Sequence, residues 1–530
     1  MNFDFIVVGA GSAGCVVADR ISENGKHRVL LLEAGRRDDS FWGPIPLGIT
    51  RLLNNPRYAF LDRTEPSPEF GDRSLVMTQG KMLGGTSSLN GLMYVRGDRA
   101  DYDGWSASGC HGWSYDEVLP YFRKSQHFPE GDAAVHGRGG PLKTSIHTDV
   151  HPLTRDFIQA LVQTGLPANG DTNGGHNEGV GLAQTTIRDG VRQSTAATFL
   201  ARARERANLV VRTDAPLDRV IVEQGTAVAV RLANGEKIRA TREIVVCAGA
   251  ISSPQILQRS GIGDARHLQA LGIPVTLHRP EVGHNLQDQL FAHLKYRLRD
   301  PRASLNHVLA NPVRMALALL RWHLKHDGIL AMPASELTAF ARTAPDGDRA
   351  DVQIAMLPFY FELDATGKVV IPRHAGLTIS AVNTRPFSRG KVHIVSANPL
   401  RRGEIAPHYL SDPRDVATLT RGIRLLRTAM AQPVIARHGP VELHPQPSVE
   451  SDEQIEDFLR RHCETIYHPV GTCRMGSDDA AVVDPALRVN GLRGLRVADA
   501  SVMPCITTGN TNAPTIMIGE KAADMILRSN

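Results

Sequence analysis

The apolar run Phe3 to Val8 leads straight into Gly9-Ala10-Gly11-Ser12-Ala13-Gly14, and the next apolar run, Arg28 to Leu32, is closed by Glu33. Strand, glycine-rich turn, helix over Ala13 to Glu23 and second strand make a βαβ unit with parallel strands. The chemistry of a dinucleotide needs these residue types at these positions. The first glycine permits the tight turn, the second lets backbone approach a pyrophosphate, and the third lets helix and sheet pack closely. The helix N-terminus offers free N–H groups and partial positive charge to phosphates, while an acid at the end of the second strand reaches ribose hydroxyls. The expected fold class is therefore α/β, with a Rossmann-like nucleotide-binding domain that begins at its cofactor site.

A chain of 530 residues exceeds what one hydrophobic core usually covers, so a second domain is expected. The later runs Asn208 to Thr213, Arg219 to Val222, Val228 to Leu232 and Glu243 to Cys247 extend the first sheet, and Leu495 to Asp499 reads as a short strand. Arg36 to Gln79 and Phe128 to Thr144 read as loop-rich excursions, and about Phe291 to Arg460 alternates helical segments with strands such as Leu377 to Asn383 and Lys391 to Ile394. The net charge of +5 is spread thinly and no aromatic-interleaved basic stripe appears, so no nucleic-acid partner is expected. Six cysteines without a C-x-x-C pair suggest reduced, buried thiols. The first strand leaves no room for a secretory leader, which predicts a cytoplasmic protein. Pro312 to Leu330 is interrupted by Arg314, Arg321, Lys325 and Asp327 and predicts an amphipathic surface helix; peripheral contact with the inner membrane is open to it. Oligomeric state is not readable.

Two further segments carry chemistry. Gly80-Lys81-Met82-Leu83-Gly84-Gly85-Thr86-Ser87-Ser88-Leu89-Asn90-Gly91 has adjacent glycines followed by hydroxyl residues, which lets backbone amides crowd a phosphate or a flavin edge. Near the far end, Tyr467-His468-Pro469-Val470-Gly471 and Gly509-Asn510-Thr511-Asn512-Ala513-Pro514 supply a base and an amide. No second nucleotide fingerprint exists, since Gly179-Val180-Gly181 lacks the third glycine. His462, Cys463, His468 and Cys473 fit no common ligand spacing, so no metal is expected. Pro514 suits a first helical position, with Asn512 or Ala513 as the cap of a helix running to Leu527.

On these residues the chain resembles the glucose-methanol-choline (GMC) oxidoreductases. Gly80 to Asn90, with Tyr94 and Gly97, is similar to their first signature, and Gly249 to Gly263 to their second; the nearest subgroup is the choline-dehydrogenase-like alcohol dehydrogenases. The resemblance implies FAD, an alcohol as donor, and a quinone or other non-oxygen electron acceptor, with oxygen in its place were the protein an oxidase. A lyase using the fold with a structural flavin is the rival of another class. Carried over residue by residue, the family's catalytic histidine falls on His468 and its second active-site residue on Asn512. A neutral imidazole is a suitable base for an alcohol, and an amide N–H suits the developing alkoxide. The implied cofactor contacts are Gly9, Gly11, Ser12, Ala13, Gly14, Glu33, Ala34, Met82, Gly84, Gly85, Thr86, Ser87, Asn90, Gly91, Val220, Ala248, Gly249, Tyr467, Asp499, Ala500, Asn510, Thr511 and Thr515. The nucleotide-binding domain comprises 1–150, 190–290 and 465–530; 151–189 and 291–464 form an interleaved substrate-binding domain on an antiparallel sheet with helices. Met332, Phe359, Tyr360, Phe361 and Tyr467 are substrate-pocket candidates, while Glu336 and Glu362 are carboxylates available to a quaternary ammonium. Some relatives attach flavin through a histidine of the first signature; Thr86-Ser87-Ser88-Leu89 has none, so FAD is expected to be non-covalent. The subgroup's Asn-Leu-x-Asp-His stretch is here Asn285-Leu286-Gln287-Asp288-Gln289, and the residues alone give no account of Gln289.

Overall fold

In the computed structural model, which describes residues 2–363 and 369–529, two seven-stranded sheets are the skeleton. The first runs in the order Leu209–Arg212, Val29–Leu32, Asn2–Val8, Lys237–Val246, Thr226–Leu232, Leu217–Glu223, and Leu495–Val497 pairs with the C-terminal half of Lys237–Val246. Its central pairings are parallel, and the hairpin at its edge is antiparallel. A strand with one buried face alternates between buried and exposed residues; here Phe5, Ile6, Val7 and the whole of Val29–Leu32 are buried, as strands covered on both faces must be.

The helix Ser12–Ser22 covers one face and packs against the last helix, Asn512–Ser529. Two features hold them close. A Cβ at Gly519 would lie 3.0 Å from the Ala13 carbonyl oxygen, so the small residue permits the approach. Arg20 grips the fully buried Glu520 through Nε and Nη2 at 2.8 and 2.7 Å, which pairs a carboxylate that has no solvent around it.

The second sheet is ordered Val441–His444, Leu290–Arg297, Gly376–Asn383, Val352–Leu357, Leu337–Ala341, Gly179–Leu182, with Glu464–Thr465 pairing Leu290–Phe291, and every pairing is antiparallel. The helix Pro413–Met430 covers one face through the buried Leu419, Ile423 and Leu426. Gly179-Val180-Gly181 is an edge strand of this sheet and not a nucleotide turn.

Two stretches differ from expectation. Residues 36–79, read as loop, contain the strand Ala59–Arg63, which pairs with Val76–Gly80. Strands this short carry too little alternation to stand out from their glycine- and proline-rich flanks. The last helix starts at Asn512, two residues before Pro514, with the Thr511 carbonyl accepting its first bond from Thr515. Proline is tolerated there because the whole first turn lacks intrahelical N–H partners, not only its first residue.

No described helix is long and apolar enough to cross a membrane. All six cysteines are free, five of them buried.

Candidate active site

A cavity of about 710 Å³ lies between the sheets, with Val8 and Leu32 of the first and Phe291, His293, Gln353, Ala355, Leu357 and Val382 of the second on its wall. At one end the turn Gly9 to Gly14 has no spare room. Gly9 takes φ +99°, and a Cβ on it would meet the Cys247 carbonyl oxygen at 2.5 Å; one on Gly14 would meet the Gly9 carbonyl oxygen at 1.8 Å. Gly85, at φ +53°, brings the second glycine segment against the first, its absent Cβ lying 2.7 Å from the Gly11 Cα. These approaches open a backbone-lined cradle where the first helix begins without any side-chain cap at Gly11.

Glu33 closes this end. Its two oxygens accept N–H bonds from Ala10 at 2.9 Å and Gly35 at 2.8 Å, and burial pushes its carboxyl up to about 7. It braces the turn while standing on the cavity wall. Asp499 does the same for a second helix start, accepting from the Gly249 N–H at 2.9 Å and from Ser253 Oγ at 2.6 Å.

Of the anticipated cofactor residues, Gly9, Gly11, Ser12, Ala13, Glu33, Ala34, Gly85, Thr86, Asn90, Gly91, Ala248, Gly249, Tyr467, Asp499, Ala500, Asn510, Thr511 and Thr515 line the cavity. Five stand behind it. Gly14 packs on Gly9, Met82 is fully buried, and the Gly84 N–H donates to the Ala10 carbonyl at 2.7 Å. Ser87 turns its Oγ to the Gly84 carbonyl at 2.6 Å. Val220 donates its N–H to Ser260 Oγ at 2.8 Å, and Ala215, Pro216 and Leu217 take the wall at that edge.

On the substrate side Phe361 and Tyr467 reach the wall, whereas Met332, Phe359 and Tyr360 do not. Phe359 is buried with its ring 6.5 Å from Phe361, Met332 is buried after the turn Ile329–Ala331, and Tyr360 donates its hydroxyl to Glu362. The missed wall residues follow the two-residue period of strands: Phe291 and His293, then Gln353, Ala355 and Leu357. That alternation is visible in the sequence; which face it presents is not.

His468, 8% exposed, stands on the same wall after Tyr467, whose φ of +62° is a strained conformation for a tyrosine. The segment Asn285 to Gln289 holds this turn. The His468 N–H donates to Asp288 Oδ1 at 2.8 Å, and Asp288 Oδ2 takes hydroxyl bonds from Thr465 and Tyr409. Burial pushes the Asp288 carboxyl up to about 6.

Gln289 explains its own presence. Its Nε2 donates to the carbonyls of Thr384 at 2.8 Å and Thr507 at 3.1 Å, so its Oε1 must face His468 Nδ1, 2.7 Å away. An amide oxygen only accepts, hence Nδ1 carries the proton and Nε2 is left as the free base. Burial drives the His468 imidazole down to about 3, so it is neutral across the physiological range.

The amide facing that base is Asn510, not Asn512. Asn510 donates from Nδ2 to His468 Nε2 at 3.1 Å, while its Oδ1 accepts from Gln353 Nε2 at 3.2 Å. Asn512 is the first residue of the last helix, and its Oδ1 accepts instead from Ser12 Oγ at 2.7 Å, at the start of the first helix. The helical turn swings residue 512 toward the glycine cradle and leaves 510, in the loop before it, toward the histidine.

A base and an amide donor thus converge on one point of a cavity whose wall also carries the glycine turn and Glu33. Gln353 Oε1 is buried with no partner among the described residues. No group of three or more metal-ligating side chains occurs among the described residues.

Models of the family described as GMC oxidoreductase match residues 3–291 and 386–519. The chain is 40% identical to "Alcohol dehydrogenase [acceptor]" of Pseudomonas putida, covering 99% of this chain and 96% of that one. It is 39% identical to "Oxygen-dependent choline dehydrogenase" of Vibrio vulnificus, covering 99% and 94%. Among solved structures it resembles pyridoxine 4-oxidase from "Mesorbium loti", with TM-score 0.88, 32% identity and 98% of each chain covered.

Proposed function

The chain belongs to the GMC oxidoreductases, FAD enzymes that act on CH–OH donors, and from that premise we propose that it oxidises a neutral alcohol to the carbonyl compound with His468 as base and Asn510 as alkoxide donor. The observation that carries the reading is the setting of His468, with Nδ1 2.7 Å from the Gln289 amide oxygen and Nε2 3.1 Å from the Asn510 amide nitrogen, which implies a neutral imidazole with Nε2 unprotonated.

FAD, when bound, accepts the carbinol hydride. The glycine cradle, Glu33 and Thr86 suit its nucleotide, and the absence of a histidine in Thr86-Ser87-Ser88-Leu89 supports non-covalent attachment. An alcohol hydroxyl placed at His468 Nε2 gives up its proton there, and Asn510 Nδ2 turns from the ring to the alkoxide oxygen. Gln353 keeps the Asn510 amide oriented for that purpose. The start of the last helix, on the wall at Thr511, Asn512 and Thr515, would favour negative charge on a group held against it. The name of the Pseudomonas putida relative supports an acceptor other than oxygen, and a quinone fits that chemistry.

The test is anaerobic stopped-flow reduction of the bound flavin by an accepted alcohol. His468→Ala is expected to retain FAD and to slow reduction by about 10²-fold or more, the usual scale for a lost general base. Reduction at the wild-type rate would refute the assignment. Turnover with a dye or ubiquinone analogue, compared with oxygen alone, decides the acceptor.

A further inference from the structure

The helix Pro312–Lys325 carries an apolar stripe on the wrong side for packing. Val313, Leu317, Leu320 and Leu324 are 67%, 59%, 54% and 70% exposed. At about 100° per residue these four fall within an arc of roughly 60°. The opposite face is the one that packs: Trp322 is buried against Ile45, Leu47, Leu330 and Ala331, and Met315, Ala318 and Leu319 join that cluster. The outward leucines therefore have no role in the fold that buries the inward ones.

Charge on the helix itself is of one sign. No acid occurs between Asp300 and Asp327, whereas Arg314, Arg321 and Lys325 lie along one flank and His323 along the other. Arg321 pairs with Asp327 at 2.6 Å; Arg314 and Lys325 stay exposed. Phe41, 55% exposed, stacks edge-on with Trp42 5.3 Å away, and Trp42 belongs to the cluster beneath the helix, with Arg51 over its ring.

From this juxtaposition we propose that the helix Pro312–Lys325 lies in the interface of a phospholipid leaflet containing anionic lipid, with Leu317, Leu320 and Leu324 entering the acyl boundary and Arg314 and Lys325 meeting headgroup phosphates. An apolar stripe flanked by cations, on a helix without acids, is the pattern such interfaces select. A second copy of the chain is the poorer occupant, because an antiparallel two-fold partner would bring the cationic flank against itself and a parallel one would leave Arg314 and Lys325 without an acid to meet. The cluster beneath the helix includes Ile45 and Leu47, and the chain runs on from them to Ile49 and Leu53 on the cavity wall.

The experiment is co-sedimentation of the FAD-loaded enzyme with vesicles of phosphatidylcholine, with and without phosphatidylglycerol. Binding is expected with phosphatidylglycerol, and it should weaken about tenfold or more in Leu317→Ser/Leu324→Ser and in Arg314→Ser/Lys325→Ser. Flavin content and dye reduction of each variant check its folding, since none of these residues touches the site. Absence of binding to either vesicle, or equal binding by the wild type and both variants, would overturn the proposal. So would a dimer in sedimentation velocity that Leu317→Ser/Leu324→Ser dissolves, with no vesicle binding by the wild type, which would assign the stripe to a second copy.

Discussion

Gln289 presents its carbonyl oxygen to His468 Nδ1 because its amide nitrogen is already engaged by two backbone carbonyls. Gln289→Leu would leave a buried N–H unpartnered and free the ring to adopt the other tautomer. A loss of about 1–3 kcal/mol is the usual cost of such a group, and flavin reduction should slow roughly tenfold to a hundredfold. Gln289→Glu tests positioning against mere structure. An anion beside Nδ1 stabilises the imidazolium, so it raises the His468 pKa from its depressed value of about 3. In the wild type the neutral base persists as pH falls through 6.5, and the acid limb of the reduction rate is expected well below that pH; in Gln289→Glu the limb should move to higher pH. Identical pH profiles would reject the coupling. The same scale separates two asparagines, of which the resemblance had picked Asn512 and the geometry picks Asn510. Asn510→Ala should slow reduction with FAD retained, and Asn512→Ala should chiefly loosen FAD, since Asn512 meets Ser12. Reduction rates and flavin-to-protein absorbance ratios check the pair. His468 was legible because a His-Pro-Val-Gly run is distinctive; its partners were not, because Asn510 and Asn512 differ only in which one the start of a helix turns away.

The first βαβ unit was legible almost to the residue, and Gly9 and Gly14 show why: both are demanded by a backbone contact rather than by a side chain. The carbonyl oxygen of Gly9 stands 1.8 Å from where a Gly14 Cβ would be, and both are backbone positions that cannot yield separately. Gly14→Ala is expected to cost on the order of 3 kcal/mol or more and to leave the purified protein nearly free of flavin. Gly25→Ala is the control. Gly25 also has a positive φ, of +71°, but nothing lies within 4 Å of its Cβ position, so only the conformational penalty of about 1 kcal/mol applies. Thermal melts and flavin content of the two variants check the contrast, and equal losses would show that conformation, not contact, sets the turn. The second sheet was less legible. Its strands come from seven separated stretches between Gly179 and Thr465, and antiparallel register over such separations is decided by packing that no local pattern reports.

Because the two sheets build one cavity, the choice of substrate belongs to the whole molecule. The first sheet and its helices supply the cradle and Glu33; the second supplies Phe291, His293, Ala355, Leu357, Val382 and Phe361. The only carboxylates on the wall among the described residues are Glu33 and Asp499, both engaged with backbone N–H groups at the cradle end. Glu336 is spent on Thr154 and His151, and Glu362 on Tyr360, so neither faces the site. Lys295 Nζ lies 4.6 Å from the Phe361 ring centroid, where its acidic neighbours Glu464 and Glu362 are already set against its charge. Choline carries a fixed cation that this chamber would bury without a counter-charge, a cost of several kcal/mol. Its kcat/KM should therefore fall below that of benzyl alcohol or a medium-chain alkyl alcohol by about 10²-fold or more, although relatives of 39% identity bear choline in their names. A panel of alcohols with one dye acceptor measures this, and choline oxidised as efficiently as benzyl alcohol would mean that a cation-binding group reaches the chamber from elsewhere in the chain.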